Sequence, residues 1–192
     1  MRTPGRWLKD LQASSPAKHE YVCTDIEPAI FPSSPTPGLS FQVQSIKDPW
    51  PLEMQGTFDL VHQRFVMAGM APGSPKAAVG HLVSLLKPGG WLQLIEMDTD
   101  PNPENPPQME FLMRLMRTMF SGVGLGEDFS KELKPWMVEA GLSNVQEKVV
   151  YPAHGELIGD KSLKQKSIES PCSGVAPILS VVKCKSVLGL CG

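Results

Sequence analysis

The sequence predicts an α/β protein built on a parallel sheet. Three observations predict it. Short runs with strand-like patterning recur along the chain: EYVCTD, LSFQVQ, TFDLVH and WLQLIEM. An amphipathic helical segment, with Val79, Leu82, Val83 and Leu86 on one face, separates the last two of them. Long crossovers separate the others, and strands that alternate with helices or long crossovers pair in parallel.

Each element follows from its residues. Trp7, Leu8 and Leu11 have helical spacing over a short segment. Residues 20–25 form a strand that ends on an acid, and the loop PSSPTPG at 32–38 cannot continue a central strand. Residues 39–44 alternate apolar and polar as a second strand, Asp48-Pro49-Trp50-Pro51 breaks the chain, and residues 57–62 form a third strand. A helix over 75–87 starts at a proline, and Lys87-Pro88-Gly89-Gly90 stops it. Residues 91–97 make the fourth strand. A Pro-rich loop at 101–107 then leads to a helix buried through Met109, Leu112, Met113, Met116 and Phe120. Ser130 caps a further helix, with Leu133, Met137 and Ala140 inward and Gly141 as its stop. Residues 145–151 form a late strand. From residue 152 the pattern fades into an irregular segment reaching 192, where Lys161, Lys164 and Lys166 read as a solvated face. The expected organisation is therefore one domain over 1–151 followed by that segment.

Composition narrows the function classes. A chain of 192 residues supports one domain with a sizeable core. A net charge of −2 gives no electrostatic case for nucleic acid or an anionic membrane as partner. The 19 prolines and 17 glycines fall in clusters, which implies long loops. No two of Cys23, Cys172, Cys184 and Cys191 have CxxC spacing, so no metal site is expected, and Cys23 in its apolar strand reads as a buried thiol. A reducing compartment, the cytoplasm, is the expectation. MRTPGRWLKDLQ lacks the apolar run of a secretory signal, and Lys183 and Lys185 interrupt the apolar stretch 175–190 that would otherwise suggest a membrane span.

In open parallel sheets, ligands bind at the carboxyl ends of strands. That rule selects residues 25–27, 45–48, 62–64 and 96–98. Asp25 can accept hydrogen bonds from both hydroxyls of a ribose, and Ile26 beside it can pack on an adenine face; a loop Asp that caps a turn is the competing reading. His62 can remove a proton near neutral pH, and Arg64 can hold an anionic group; a core histidine and a surface ion pair are the bland alternatives. Glu96 and Asp98 form no obvious catalytic pair. Gly122-Val123-Gly124-Leu125-Gly126 imitates a phosphate-binding glycine run but follows a helix rather than a strand, so it reads as a helix terminus.

The order YVCTDIEP, LSFQVQSIKDPWP, TFDLVHQRFVMAGM, LVSLLKPGGWLQLIEMD and LKPWMVEAGLSNVQEKVVYP resembles fungal class I methyltransferases of secondary metabolism, including methyltransferase-like regulators. LLKPGGWLQLIEMD is the most specific piece, with FDLVHQR upstream the second. The resemblance implies a Rossmann-like sheet with helices on both faces and S-adenosylmethionine held along the strand ends. It places the ribose at Asp25 and the adenine at Ile26, flanked by Ser45 and Ile46, with His62, Gln63 and Arg64 lining the methyl-transfer region. Many members of that family carry Asp where Ser45 stands. Members also begin with an apolar strand running into a loop like GTGTGIW, where TPGRW stands here; Gly5 corresponds to its last glycine. Nor does anything after SLKQKSIES match the family's closing helix and strand pair. The expected sheet is thus incomplete at its first strand and at the C-terminus.

The expected function is methyl transfer from S-adenosylmethionine to an O, N or S atom of a small molecule. The alternative is an inactive methyltransferase-like remnant that binds or regulates, for which the nucleus is a second compartment. A nicotinamide-dependent oxidoreductase shares the acid after a strand but needs a glycine fingerprint upstream. The acceptor and the oligomeric state are left open.

Overall fold

The structure is a computed structural model, and it describes residues 6–15, 17–34, 37–70, 73–153 and 155–169. The chain divides into two compact units, one ending at Trp50 and the other beginning at Pro51. Each holds one parallel strand pair.

In the first unit, helix α1 (Arg6–Ser14) precedes strands β1 (Tyr21–Asp25) and β2 (Leu39–Val43). The two strands pair in register from Tyr21 opposite Leu39 to Asp25 opposite Val43. A parallel pair needs a crossover rather than a tight turn. Here the crossover is a one-turn 3-10 helix, Pro28–Ile30, whose entry is capped by Glu27 through the amide of Ala29, followed by the Pro-rich loop. Gly38 closes that loop with φ +73, a conformation that glycine adopts without steric cost. A Cβ on Gly38 would meet the side-chain amide of Gln12, which donates to the Pro37 carbonyl and ties α1 to the start of β2. Leu39 and Trp50 are the buried apolar residues described in this unit, and the rings of Phe31 and Phe41 pack 5.6 Å apart. Cys23 is free as expected but half-buried rather than buried, and its partial burial pushes the thiol pKa up.

The second unit has the larger core. Strands β3 (Phe58–Arg64) and β4 (Leu86–Ile95) pair in parallel, and helix α2 (Pro75–Val83) crosses between them. Ser74 caps α2 by accepting from the amide of Ala77, and Pro75 fills the first helical turn. Its buried face is Ala78, Val79 and Leu82, which pack with Met67, Met70 and Leu85. Fully burying a side chain such as Met67 or Val79 contributes about 1.5–3 kcal/mol. Helices α3 (Pro107–Gly122) and α4 (Phe129–Glu139) follow, joined where the rings of Phe120 and Phe129 meet edge to face at 5.1 Å. Gly124 and Gly126 sit at φ +83 and +84 where α3 ends, which makes the glycine run a helix terminus as expected.

Four expectations need correction. Helix α2 stops at Val83, and β4 already begins at Leu86. The pairing jumps from Phe58 opposite Leu86 to Leu60 opposite Trp91, so the Lys-Pro-Gly-Gly run is an excursion within the strand and not a helix stop. Lys87 pairs there with Asp59, at 2.8 and 3.0 Å. Ser130 lies inside α4, whose N-cap is Asp128, because Phe129 is already buried against Phe120. Residues 145–151 form no strand: Val149, Val150 and Tyr151 are exposed, and no strand among the described residues pairs with them. The C-terminal segment is not irregular throughout, since residues 161–169 are helical, entered where Asp160 accepts from the amide of Leu163. Among the described residues no helix is long and apolar enough to cross a membrane, and no cluster of residues is suited to a metal ion.

Candidate active site

Parallel pairing places Asp25 and Ser45 at the same, carboxyl, end of the first unit's strands. The amide of Gln44 donates to the Asp25 carbonyl at 3.1 Å, one residue beyond the ladder. Asp25 Oδ1 accepts from the amide of Glu27 at 3.0 Å, which holds the carboxylate at the mouth of the turn. Ile26 is 69% exposed beside it. Ser45 spends its hydroxyl on the turn, accepting from the amide of Lys47 at 3.1 Å, and Ile46 is half-buried. These four predicted residues therefore share one strand end. Gly5 lies outside the described residues.

The second unit gathers the others. His62 and Arg64 are two residues apart on β3 and share a face; Gln63 takes the opposite, buried face. His62 Nδ1 stands 2.9 Å from Gln93 Oε1 on β4. That contact requires Nδ1–H to donate, which places the lone pair of the neutral ring on Nε2. Burial lowers the His62 pKa below its ordinary 6.5; the bond to Gln93 opposes this and the charge of Arg64 adds to it.

A residue that sequence reasoning left idle organises this end. Glu96 follows β4 directly, and its Oε1 accepts from Gln63 Nε2 at 2.5 Å and from the amides of Val66 and Met67 at 3.0 Å each. Burial raises the Glu96 pKa above its ordinary 4.5 against the pull of these three donors. Between β3 and these amides, Phe65 adopts φ +55 with its ring 57% exposed. The left-handed conformation costs a non-glycine residue roughly 1–2 kcal/mol, and an exposed ring gains little packing to offset it. The signal available in the sequence was a carboxylate at the end of an apolar strand. Its partners, being backbone amides, leave no mark on the residue pattern. On the loop beyond, Arg117 donates to the carbonyl of buried Thr99 and pairs with Glu110 at 3.1 Å, while Lys131 holds Asp100 at 2.8 Å.

Comparison with known proteins adds what this geometry alone lacks. The methyltransferase psoC of Aspergillus fumigatus is 38% identical over 179 residues, 93% of this chain and 65% of its own length. The N-methyltransferase sirN of Leptosphaeria maculans is 39% identical over 162 residues, 83% of this chain and 56% of its own. The N-methyltransferase gliN of Aspergillus fumigatus is 39% identical over 153 residues, 76% of this chain and 53% of its own. The chain is a relative of the fungal methyltransferases. The 93% coverage of this chain brings both Asp25 and His62 within the span shared with psoC. The chain spans between about half and two thirds of the length of these relatives. No family model matches the chain, and no solved structure matches it.

Proposed function

We propose that this chain takes part in methyl transfer from S-adenosylmethionine to an O, N or S atom of a small molecule of secondary metabolism, within a Rossmann-like methyltransferase domain over residues 1–151. The observation that carries the reading is its similarity to a named methyltransferase over 93% of its length. A nitrogen acceptor is the favoured case, because two relatives are named N-methyltransferases.

The residues present fit the adenosine part of such a cofactor. Asp25 commits Oδ1 to its own turn, and no hydrogen bond among the described residues engages Oδ2, so the carboxylate can take the vicinal hydroxyls of a ribose. The exposed side chain of Ile26 supplies an apolar surface for a purine. Ser45 is a weaker partner, its hydroxyl already turned inward. When bound, S-adenosylmethionine supplies an electrophilic methyl group on a sulfonium. The chain's own part is alignment and proton management. His62, held through Nδ1 by Gln93 and with its pKa lowered by burial, is the residue assigned to take a proton from the attacking atom of the acceptor. Arg64, exposed on the same face, is available to an anionic group. Gln63 is placed to support β3 from its buried side.

Calorimetric titration of the purified chain with S-adenosylmethionine tests the reading. Saturable binding that Asp25→Ala weakens about tenfold or more, the scale of one charged hydrogen-bond partner, is the expected result. A folded chain that takes up no S-adenosylmethionine would overturn it.

A further inference from the structure

Strand β4 pairs with β3 alone among the described residues. The amide of Phe65 donates to the Ile95 carbonyl at 2.9 Å, so Ile95, and with it Gln93 and Trp91, turn their backbone groups toward β3. The alternate residues, Leu92 and Leu94, turn theirs to the opposite edge, where no backbone hydrogen bond among the described residues meets them. β4 carries no charge from Pro88 to Ile95, whereas β3 ends on Arg64. An uncharged, apolar edge of this kind is a template for a further strand. Trp91, 65% exposed, and Ile95 share one face of β4, where the side chains of an added strand would cover them. The same unit also holds a strand-like segment with nothing to pair with. Beyond the left-handed turn at Asn144, residues 145–151 (VQEKVVY) run to Pro152, and Val149, Val150 and Tyr151 are 49%, 68% and 76% exposed. No backbone hydrogen bond among the described residues engages that segment. Its β-branched and aromatic residues favour a pleated ladder.

We propose that residues 145–151 of one chain add to the outer edge of β4 in a second copy, and that the exchange is reciprocal about a two-fold axis. Each copy carries one unpaired segment and one open edge, so two copies satisfy both and leave neither over. A foreign extended peptide would cover the edge but leave 145–151 bare. Within its own chain the segment lies outside any ladder. A net charge of −2 offers little repulsion between copies. Pairing gives the outward amides and carbonyls of Leu92 and Leu94 protein partners in place of water. It also adds a third strand to a two-stranded sheet, which is marginal by itself. The inference is independent of the methyl-transfer reading, since it uses backbone groups of the second unit only.

Sedimentation of the full chain over a range of concentrations, with amide hydrogen exchange at each, tests the exchange. The expected result is a monomer–dimer equilibrium in which Leu92 and Leu94 gain protection as the dimer fills. Successive residues of a strand point their amides to opposite sides, so one of Val149→Pro and Val150→Pro removes a donor from the new ladder. At least one of the two should weaken the dimer about tenfold or more, the scale of a hydrogen bond lost in both symmetric contacts. Both positions are exposed and outside any ladder, so the monomer keeps its fold, which the protection of Val79 in the core checks. A chain that stays monomeric at every concentration overturns the proposal. So does a dimer that neither variant weakens, or one whose formation leaves Leu92 and Leu94 unprotected. Protection of Leu92 and Leu94 that is independent of concentration, yet lost in a proline variant, would mean that the segment pairs within its own chain, and that too overturns the exchange.

Discussion

His62 shows how much of a site rests on one neighbour. Three influences act on its ring: burial, which lowers the pKa most, the bond to Gln93, which raises it, and the charge of Arg64, which lowers it. Each can be removed separately. In a ring-proton NMR titration His62 should titrate below 6.5, Gln93→Ala should lower the midpoint further, and Arg64→Gln should move it back up. The sign for stability follows. A histidine with a depressed folded pKa favours the folded state above its unfolded value near 6.5, and that contribution is lost as pH falls through the folded pKa. A midpoint at or above 6.5 would contradict the burial seen here. The sequence disclosed His62 and Asp25 because a strand-end rule points at their positions. It could not disclose Gln93 or Glu96 as partners, since both pairings span about thirty residues and depend on the β3–β4 register.

At the scale of elements, strand existence was legible and strand limits were not. The cores of β1, β2 and β3 lie where alternation put them, but β4 starts five residues earlier than expected because its excursion contains Pro88, Gly89 and Gly90. In isolation such a run reads as a helix stop; in the structure the partner strand decides its fate. Gly89 adopts φ +81, and a Cβ on Gly90 would lie 3.0 Å from the carbonyl oxygens of Lys87 and Phe58 and 3.3 Å from that of Asp59. All three obstacles are backbone atoms, so no side chain can swing away. Gly90→Ala should therefore destabilise the chain by about 1–3 kcal/mol, the usual cost of overpacking, seen as a lower denaturant midpoint. An unchanged midpoint would mean that the excursion gives way freely. The expected strand at 145–151 failed for the converse reason: its residues have strand character, but strand character without a ladder leaves backbone groups to water.

Over the whole molecule, the two units differ in how much holds them together. A two-stranded sheet is marginal in water without further strands or a packed helix. The second unit answers that with α2, α4 and a core running from Val61 through Leu82 to Phe129; the first buries Leu39 and Trp50 among its described apolar residues. The parallel α/β class was legible because parallel strands leave long crossovers in the sequence, whereas the separation into two strand pairs was not, because pairing is a property of space. The imbalance makes the first unit the less stable one, with openings of lower free energy than those of the second. Native-state hydrogen exchange should show the amides of β1 and β2 exchanging faster than those of β3 and β4, with α2 slowest at Val79. The same imbalance bears on function, since Asp25 and Ile26 belong to the weaker unit. A ligand that binds only the folded form stabilises it by RT ln(1 + [L]/Kd), about 2.7 kcal/mol at a hundredfold excess over Kd. If adenosine contacts lie where proposed, saturating S-adenosylmethionine should slow exchange in β1 and β2 by up to about a hundredfold, the equivalent of that free energy. The second unit, already near its own limit, should change less. Slowing confined to β3 and β4 would instead place the ligand away from Asp25, and the first unit would then owe its residue pattern to ancestry and not to binding.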